Sequence, residues 1–166
     1  MWIVDPERHV DERGSFARKY CRREFAEHGI DFVPVQISAS SNTRRGTLRG
    51  LHFQTEPLTE AKIVTCVRGS AFDLAVDLRP DSPSYGRSAG VELSRENARA
   101  VYVPPGCAHG FQTLEDDTEL LYLISEFYDP SLQRGVRWDD PALEIGWPLT
   151  PTVISERDRT FPDYAW

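Results

Sequence analysis

Cysteine is scarce in this 166-residue chain, and its count is odd. Cys21, Cys66 and Cys107 stand far apart and form no Cys-x-x-Cys pair, which counts against a disulfide scaffold and against a zinc ribbon. They read as reduced thiols, the usage of a cytoplasmic protein. Long apolar runs are missing as well, and nothing approaches the roughly 20 residues of a membrane span. Residues 1–20 carry Asp, Glu and Arg throughout, which is not the pattern of a secretion signal. Internal repeats and low-complexity segments are absent. There is no excess of positive charge: 19 Lys and Arg against 26 Asp and Glu leave a net charge of −7. General binding to nucleic acid or to an anionic membrane is therefore disfavoured. A local cluster of cations could still hold an anionic ligand. Histidine is sparse, with only His9, His28, His52 and His109.

What is present is ordinary globular composition, 40% apolar and 27% charged, in a length that suits one domain over residues 1–166 with a proper core. Strand signals dominate. Residues 33–40, 47–53, 61–67, 71–78, 88–93, 99–103, 109–114 and 118–127 each carry alternating or β-branched runs bounded by turn chemistry. Arg68-Gly69, Arg79-Pro80-Asp81-Ser82-Pro83 and Pro104-Pro105-Gly106 are the breaks. One short helix is expected over residues 20–28 with Gly29 as its stop, and a weaker helical stretch near 94–97. Many short strands with few helices point to an all-β sandwich or barrel. The cupin-type jelly roll, a double-stranded β-helix, is the form that manages its edges with two packed sheets. The segment from Asp129 onward, rich in Pro, Trp and Asp, is expected to cover one end of that barrel.

Proton chemistry next to an anion is suggested by Gly46-Thr47-Leu48-Arg49-Gly50-Leu51-His52-Phe53-Gln54, with Lys62 ten residues after His52. Strand alternation puts Gly50 and His52 on one face and Arg49 on the other, unless the strand bulges at the glycine. Taken alone, His52 reads first as a half-buried structural histidine. Lys62 lies in an otherwise apolar strand. It is either a solvent-facing lysine or a cation aimed at a developing negative charge. His109 follows the Pro104-Pro105-Gly106 turn, in a spacing like the second half of a cupin metal motif. The first half offers only His52, and two histidines with Glu60 make a poor ligand set, so no metal is expected. Tyr122 and Tyr128, six residues apart, fall on one face if the strand continues. They suit a core, and a phenol also suits a general acid. Asp158 reads as an exposed residue unless the chain folds back on the barrel.

Taken together, several ordered segments resemble the nucleotide-sugar epimerases typified by dTDP-4-dehydrorhamnose 3,5-epimerase. They are Asp11 through Phe16, Gln36, Leu48 through Gln54, Ala61-Lys62, Asp73 through Arg79 with Ser82-Pro83, and Val103 through Phe111. Tyr122, Tyr128-Asp129-Pro130, Trp138 through Pro141, Trp147-Pro148 and Ser155 through Asp158 complete the series. The resemblance implies a dimeric, cofactor-independent, metal-free jelly roll with the N-terminal segment exchanged between subunits. It implies His52 as base with Asp158 as its orienting partner, Tyr122 as acid on the opposite face of the sugar, and Lys62 beside the C4 carbonyl. Arg13, Phe16, Gln36, Arg49, His109, Tyr128 and Arg157 match positions that hold the nucleotide-diphosphate sugar, Arg13 coming from the partner.

Those roles agree with elementary chemistry. A C–H beside a ketone becomes acidic only as charge spreads onto oxygen, so base and cation must act together. Inversion needs proton removal on one face and return on the other. Arginine's fork suits diphosphate oxygens. The chain departs from the family pattern at Arg18 and Ser38, where Glu and Asn are common, and at Gln133 and Arg157, where Glu and Lys are common. The first two lie toward the nucleotide base, which implies an active epimerase of altered base or sugar preference. Three rivals follow: a single-centre epimerase on a sugar nucleotide other than dTDP, a cupin that binds sugar nucleotides without turning them over, and a metal-dependent cupin enzyme.

Overall fold

The computed structural model describes residues 1–164. Among these residues, thirteen strands and two short helices follow in order. The N-terminal group is β1 (Trp2–Val4), β2 (Arg8–Asp11), β3 (Gly14–Ala17) and helix α1 (Arg22–Glu27). The central group is β4 (Gln36–Asn42), β5 (Thr47–Gln54), β6 (Lys62–Arg68), β7 (Ser70–Asp77), β8 (Ser88–Ser94), β9 (Ala100–Val103), β10 (Cys107–Thr113) and β11 (Thr118–Ile124). Last come β12 (Gln133–Gly135), β13 (Val153–Ile154) and α2 (Glu156–Arg159).

One sheet runs β1-β9-β6-β11-β4 and the other β12-β5-β10-β7-β8, with β13 also on β5. The expected all-β jelly roll is therefore what the chain forms. Alternation explains how the sheets meet. Val64 and Cys66 of β6, Val101 and Val103 of β9 and Leu120 of β11 pack against Ala71, Ala75, Leu93, Cys107 and Phe111 of the opposite sheet. Each fully buried large side chain there contributes roughly 1.5–3 kcal/mol. Burial pushes the Cys66 thiol up to about 11 and raises that of Cys107, so both behave as core residues rather than nucleophiles.

The outer faces are covered too. Phe25, Ile30 and Phe32 around α1 lie on Ala61, Ile63, Ala100 and Tyr102. Leu51, Leu74, Val76, Leu78 and Ala108 are covered by Val136 and Leu143. The C-terminal third thus covers the outer face of the second sheet rather than an end of a barrel. The apolar residues that alternate outward from β5, β7 and β10 require it.

Other departures have local causes. Past the end of β8 at Ser94, residues 95–97 form a turn instead of a helix. Ser94 N–H donates to Asn97 Oδ1 and Asn97 N–H donates to Ser94 Oγ, both at 3.0 Å, a closed pair that competes with helix. Strand β4 begins at Gln36 rather than residue 33, past Pro34, which lacks an N–H for the ladder. β11 stops at Ile124, where its partner β4 runs out at Gln36. Tyr128 therefore lies beyond the strand, and its even spacing from Tyr122 carries no meaning. The elements missed by pattern are β1 to β3, β12, β13 and α2, all of four residues or fewer.

Candidate active site

A cleft of about 360 Å³ opens between the sheets. Ser38, Lys62 and Tyr122 face it from one sheet and Arg49, His52 and His109 from the other, with Glu60, Tyr128 and Gln133 at its edge.

Arg49 and His52 share this cleft because β5 bulges. His52 pairs with His109 while Arg49 pairs with Phe111, so one extra residue is inserted on β5 and the alternation is reset. Gly50 carries it with φ +134°. A Cβ on Gly50 would lie 2.6 Å from Gly110 Cα, and one on Gly110 would lie 2.7 Å from the Arg49 carbonyl. The two facing glycines are what let the backbones approach, as the bulge expected at Gly50 requires.

Asp158 does fold back onto the barrel. Its Oδ1 lies 2.8 Å from His52 Nε2, and its Oδ2 accepts the Gly50 N–H at 3.0 Å. Ser155 caps α2 by accepting the Asp158 N–H at 3.0 Å, which fixes the backbone that presents the carboxylate. Burial acts to raise the Asp158 pKa, but the hydrogen bonds from His52, Gly50 and Ser155 outweigh it. The carboxyl is held below its ordinary range. With one ring nitrogen of His52 committed to a carboxylate, the other is free to accept a proton.

His109 has a carboxylate of its own. Its Nε2 lies 3.0 and 2.9 Å from the two oxygens of Asp73, which has no solvent exposure. Sequence reasoning missed this partner. A signal existed: Asp73 sits between Ala71 and Ala75 on the face that enters the core, and a carboxylate there demands a partner. The His109 ring stands edge-on to Tyr122 with centroids 5.9 Å apart. Burial raises the Tyr122 hydroxyl well above its ordinary range. The Asp73 charge adds to this and Arg49 opposes it. The phenol is thus fully protonated at neutral pH.

The cations are held in two different ways. Lys62 is buried and pairs with Glu60 at 2.8 Å, so it is not a solvent-facing lysine. Glu60, weighed from sequence only as a weak metal ligand, is its counter-ion. Arg49 Nε instead donates to the amide oxygen of Asn42 at 2.8 Å. Asn42 is itself fixed by donating to the carbonyls of Ser40 and Thr118 at 3.0 and 3.2 Å. An amide orients the guanidinium without cancelling its charge.

The rim is tied by amides as well. Gln36 Oε1 accepts the Tyr128 N–H at 2.7 Å, and Gln54 Oε1 accepts the Asp129 N–H at 2.9 Å. Gln133 Oε1 accepts from the Tyr128 hydroxyl at 3.0 Å and from Arg157 Nη2 at 2.7 Å. Arg13 and Phe16 do not reach the cleft within this chain. They lie exposed on the β2–β3 hairpin, where Arg13 pairs with Asp11 at 2.5 Å. Phe16 and Arg18 border a second cleft of about 600 Å³ along the N-terminal segment. Arg18 pairs there with Glu24 at 2.5 Å. Ser38 faces the first cleft, so the two base-side departures are on different clefts of one chain.

Comparisons with known proteins concur on one family and one fold. The family model described as dTDP-4-dehydrorhamnose 3,5-epimerase matches residues 1–165. A Sinorhizobium fredii protein named dTDP-4-dehydrorhamnose 3,5-epimerase is 43% identical over 161 residues, 96% of this chain and 83% of its own length. A Streptomyces niveus protein named dTDP-4-dehydrorhamnose 3-epimerase is 42% identical, covering 96% of this chain and 77% of its own. The crystal structure of dTDP-4-dehydrorhamnose 3,5-epimerase from Bacillus anthracis, with TDP and PPi bound, superposes with a TM-score of 0.94. It is 37% identical and covers 98% of this chain and 93% of that one.

Proposed function

We propose, for a chain that belongs to the dTDP-4-dehydrorhamnose 3,5-epimerase family, a mechanism in which His52 removes the proton beside a sugar ketone and Tyr122 returns one to the opposite face. The protein is an isomerase, an epimerase of deoxysugar biosynthesis. Its substrate is a nucleotide-diphosphate 4-keto-6-deoxyhexose, the class named by its relatives. The C–H bond at C3 or C5 breaks with its proton going to His52. The electron pair enters the ring carbon–C4 bond as the C4 carbonyl becomes an enolate, and Lys62 stabilises the oxygen that gains charge. Tyr122 then protonates carbon from the far side. Asp158 keeps the His52 ring oriented.

The observation that supports this reading most is the meeting, in one cleft, of a histidine held by a buried carboxylate and a phenol kept protonated. Arg49, whose charge is left uncancelled, and His109 hold the substrate with Gln36, Tyr128 and Arg157 around the rim. The chain acts in the cytoplasm as a single domain and a homodimer whose N-terminal segments cross over. Among the described residues the β2–β3 hairpin pairs with no other strand, and it exposes Val10 and Phe16 at 74% and 70%. A crossing hairpin would carry Arg13 and Phe16 to the partner's cleft and bring Arg18 toward Ser38.

The test is proton NMR in deuterium oxide with a dTDP-4-keto-6-deoxyhexose. His52→Ala lowers deuterium incorporation by about 10³-fold. Tyr122→Phe retains exchange but yields little inverted sugar, because proton return from the far face is lost. Unchanged incorporation in His52→Ala sinks the mechanism. The Streptomyces niveus relative's name makes a single-centre reaction a second reading, and the number of labelled carbons decides between them.

A further inference from the structure

The His52 imidazole is held at its edge by Asp158, but an edge contact alone leaves the ring plane free to tilt. A second group meets it. Phe161 stands edge-on to His52, with centroids 5.7 Å apart and planes at 75°. Phe161 follows α2 and is covered in turn by the Arg157 guanidinium, 5.5 Å from its ring centre. Phe161 lies just past Thr160, the C-cap of α2, so the contact with Arg157 ties the helix to the segment that follows it.

The surface they dock on is β12. Gln133 and Gly135 alternate onto one side of that strand. Gln133 accepts the Arg157 N–H at 2.7 Å. At Gly135 the Phe161 ring occupies the place of a side chain: an added Cβ would lie 2.3 Å from Cε2 and Cζ of that ring. Gly135 is also the residue paired with His52 in the β12–β5 register. The bare strand, the ring upon it and the imidazole beside it form one stack.

We infer that Phe161, seated on Gly135 and covered by Arg157, is a positioning residue for His52. It fixes the plane of the imidazole and keeps water from the His52–Asp158 hydrogen bond. The docking of α2 on β12 delivers both supports at once, Asp158 from inside the helix and Phe161 from just beyond it. The inference rests on the reading of His52 as the base.

Glycine at 135 is required by the ring and not by its own backbone, since its φ lies outside the left-handed region. That makes a double-mutant cycle decisive. Phe161→Ala should lower kcat about tenfold while KM rises no more than a few-fold, because Arg157, the rim residue that rests on the ring, keeps its hydrogen bond to Gln133. Gly135→Ala should do the same by pushing the ring aside. In the Phe161→Ala background, Gly135→Ala should have no further effect, because the clashing ring is gone. Phe161→Tyr, which keeps the ring, should restore most of kcat. Thermal melts of each variant remove those that merely unfold, and in that case Phe161→Leu replaces Phe161→Ala in the cycle. Multiplicative losses, or a kcat unchanged in both single variants, overturn the inference. If His52→Ala keeps its activity, the reading of the base fails first. If His52→Ala is dead while Phe161→Ala is normal, only the positioning role falls.

Discussion

Two histidine–aspartate pairs face each other across neighbouring strands, and they are built to different ends. His109 and Asp73 are both buried, at 5% and 0% side-chain exposure, whereas His52 keeps 29% over a nearly buried Asp158. Asp73 offers both oxygens to one nitrogen. Asp158 divides its oxygens between His52 and the Gly50 N–H. The first arrangement locks a ring into the cleft wall. The second anchors one edge of a ring to the bulged backbone and leaves the ring in reach of a ligand. The same two residue types therefore give a fixed wall in one case and an accessible ring in the other, and solvent access with anchoring makes the difference.

The largest effect should come from breaking the accessible pair. Asp158→Asn replaces one acceptor oxygen with an NH₂ that cannot accept from Gly50 or His52, so ring orientation is lost. Activity should fall about 100-fold, with the loss in kcat rather than KM. Steady-state kinetics beside a thermal melt check this. A variant with normal kcat would make Asp158 a structural residue and remove the contrast.

A smaller effect, of the other kind, should follow Asp73→Asn. The buried His109 loses half of its bidentate acceptor, and stability should drop by about 2 kcal/mol. KM should rise several-fold as the cleft wall shifts, while exchange at saturating substrate stays within a few-fold of the parent. Denaturant unfolding and deuterium incorporation report the two separately. A kcat collapse like that of Asp158→Asn would show that both pairs serve the chemistry alike.

The difference between the pairs was only partly legible in the sequence. Periodicity of two marked the eight central strands, because their inward residues build the core between the sheets. It could not mark β12, β13 or α2, which are too short to carry a period and exist through what they dock on. Those pieces bring Asp158 to His52 across 106 residues of chain, and without the family resemblance Asp158 looks like an exposed residue. Arg49 and His52 read as opposite-facing by alternation. Only the bulge at Gly50, against Gly110, turns them to the same cleft. Asp73 left a fair signal as a carboxylate on a core face, and Gly135 and Phe161 left none, since their fit is a property of the docked surfaces. Chemistry-bearing residues on regular strands are readable. Their supports, placed by tertiary contact, are not.

The smallest effect is a pH dependence of stability that tests the accessible pair by itself. The Asp158 carboxyl sits below its ordinary range in the folded protein. A depressed folded-state value means that the unfolded chain binds the proton more readily. Its contribution to stability is thus fully present above the unfolded pKa, near 4, and is lost as pH falls through the folded value. Asp77 is depressed in the same direction, chiefly by Arg79, with Ser82 and Ser84 also donating to it, so it adds an acid-sensitive background remote from the cleft. The parent should lose stability on acidification below about pH 4, and Asp158→Asn should lose less over the same range. Asp77→Asn removes the background and leaves the Asp158 part visible. Urea midpoints at several pH values between 3 and 6 measure it, and identical slopes for the parent and Asp158→Asn would mean that the His52 pair contributes no charge-dependent stability. The hold of Asp158 on His52 would then be a matter of hydrogen-bond geometry and not of charge.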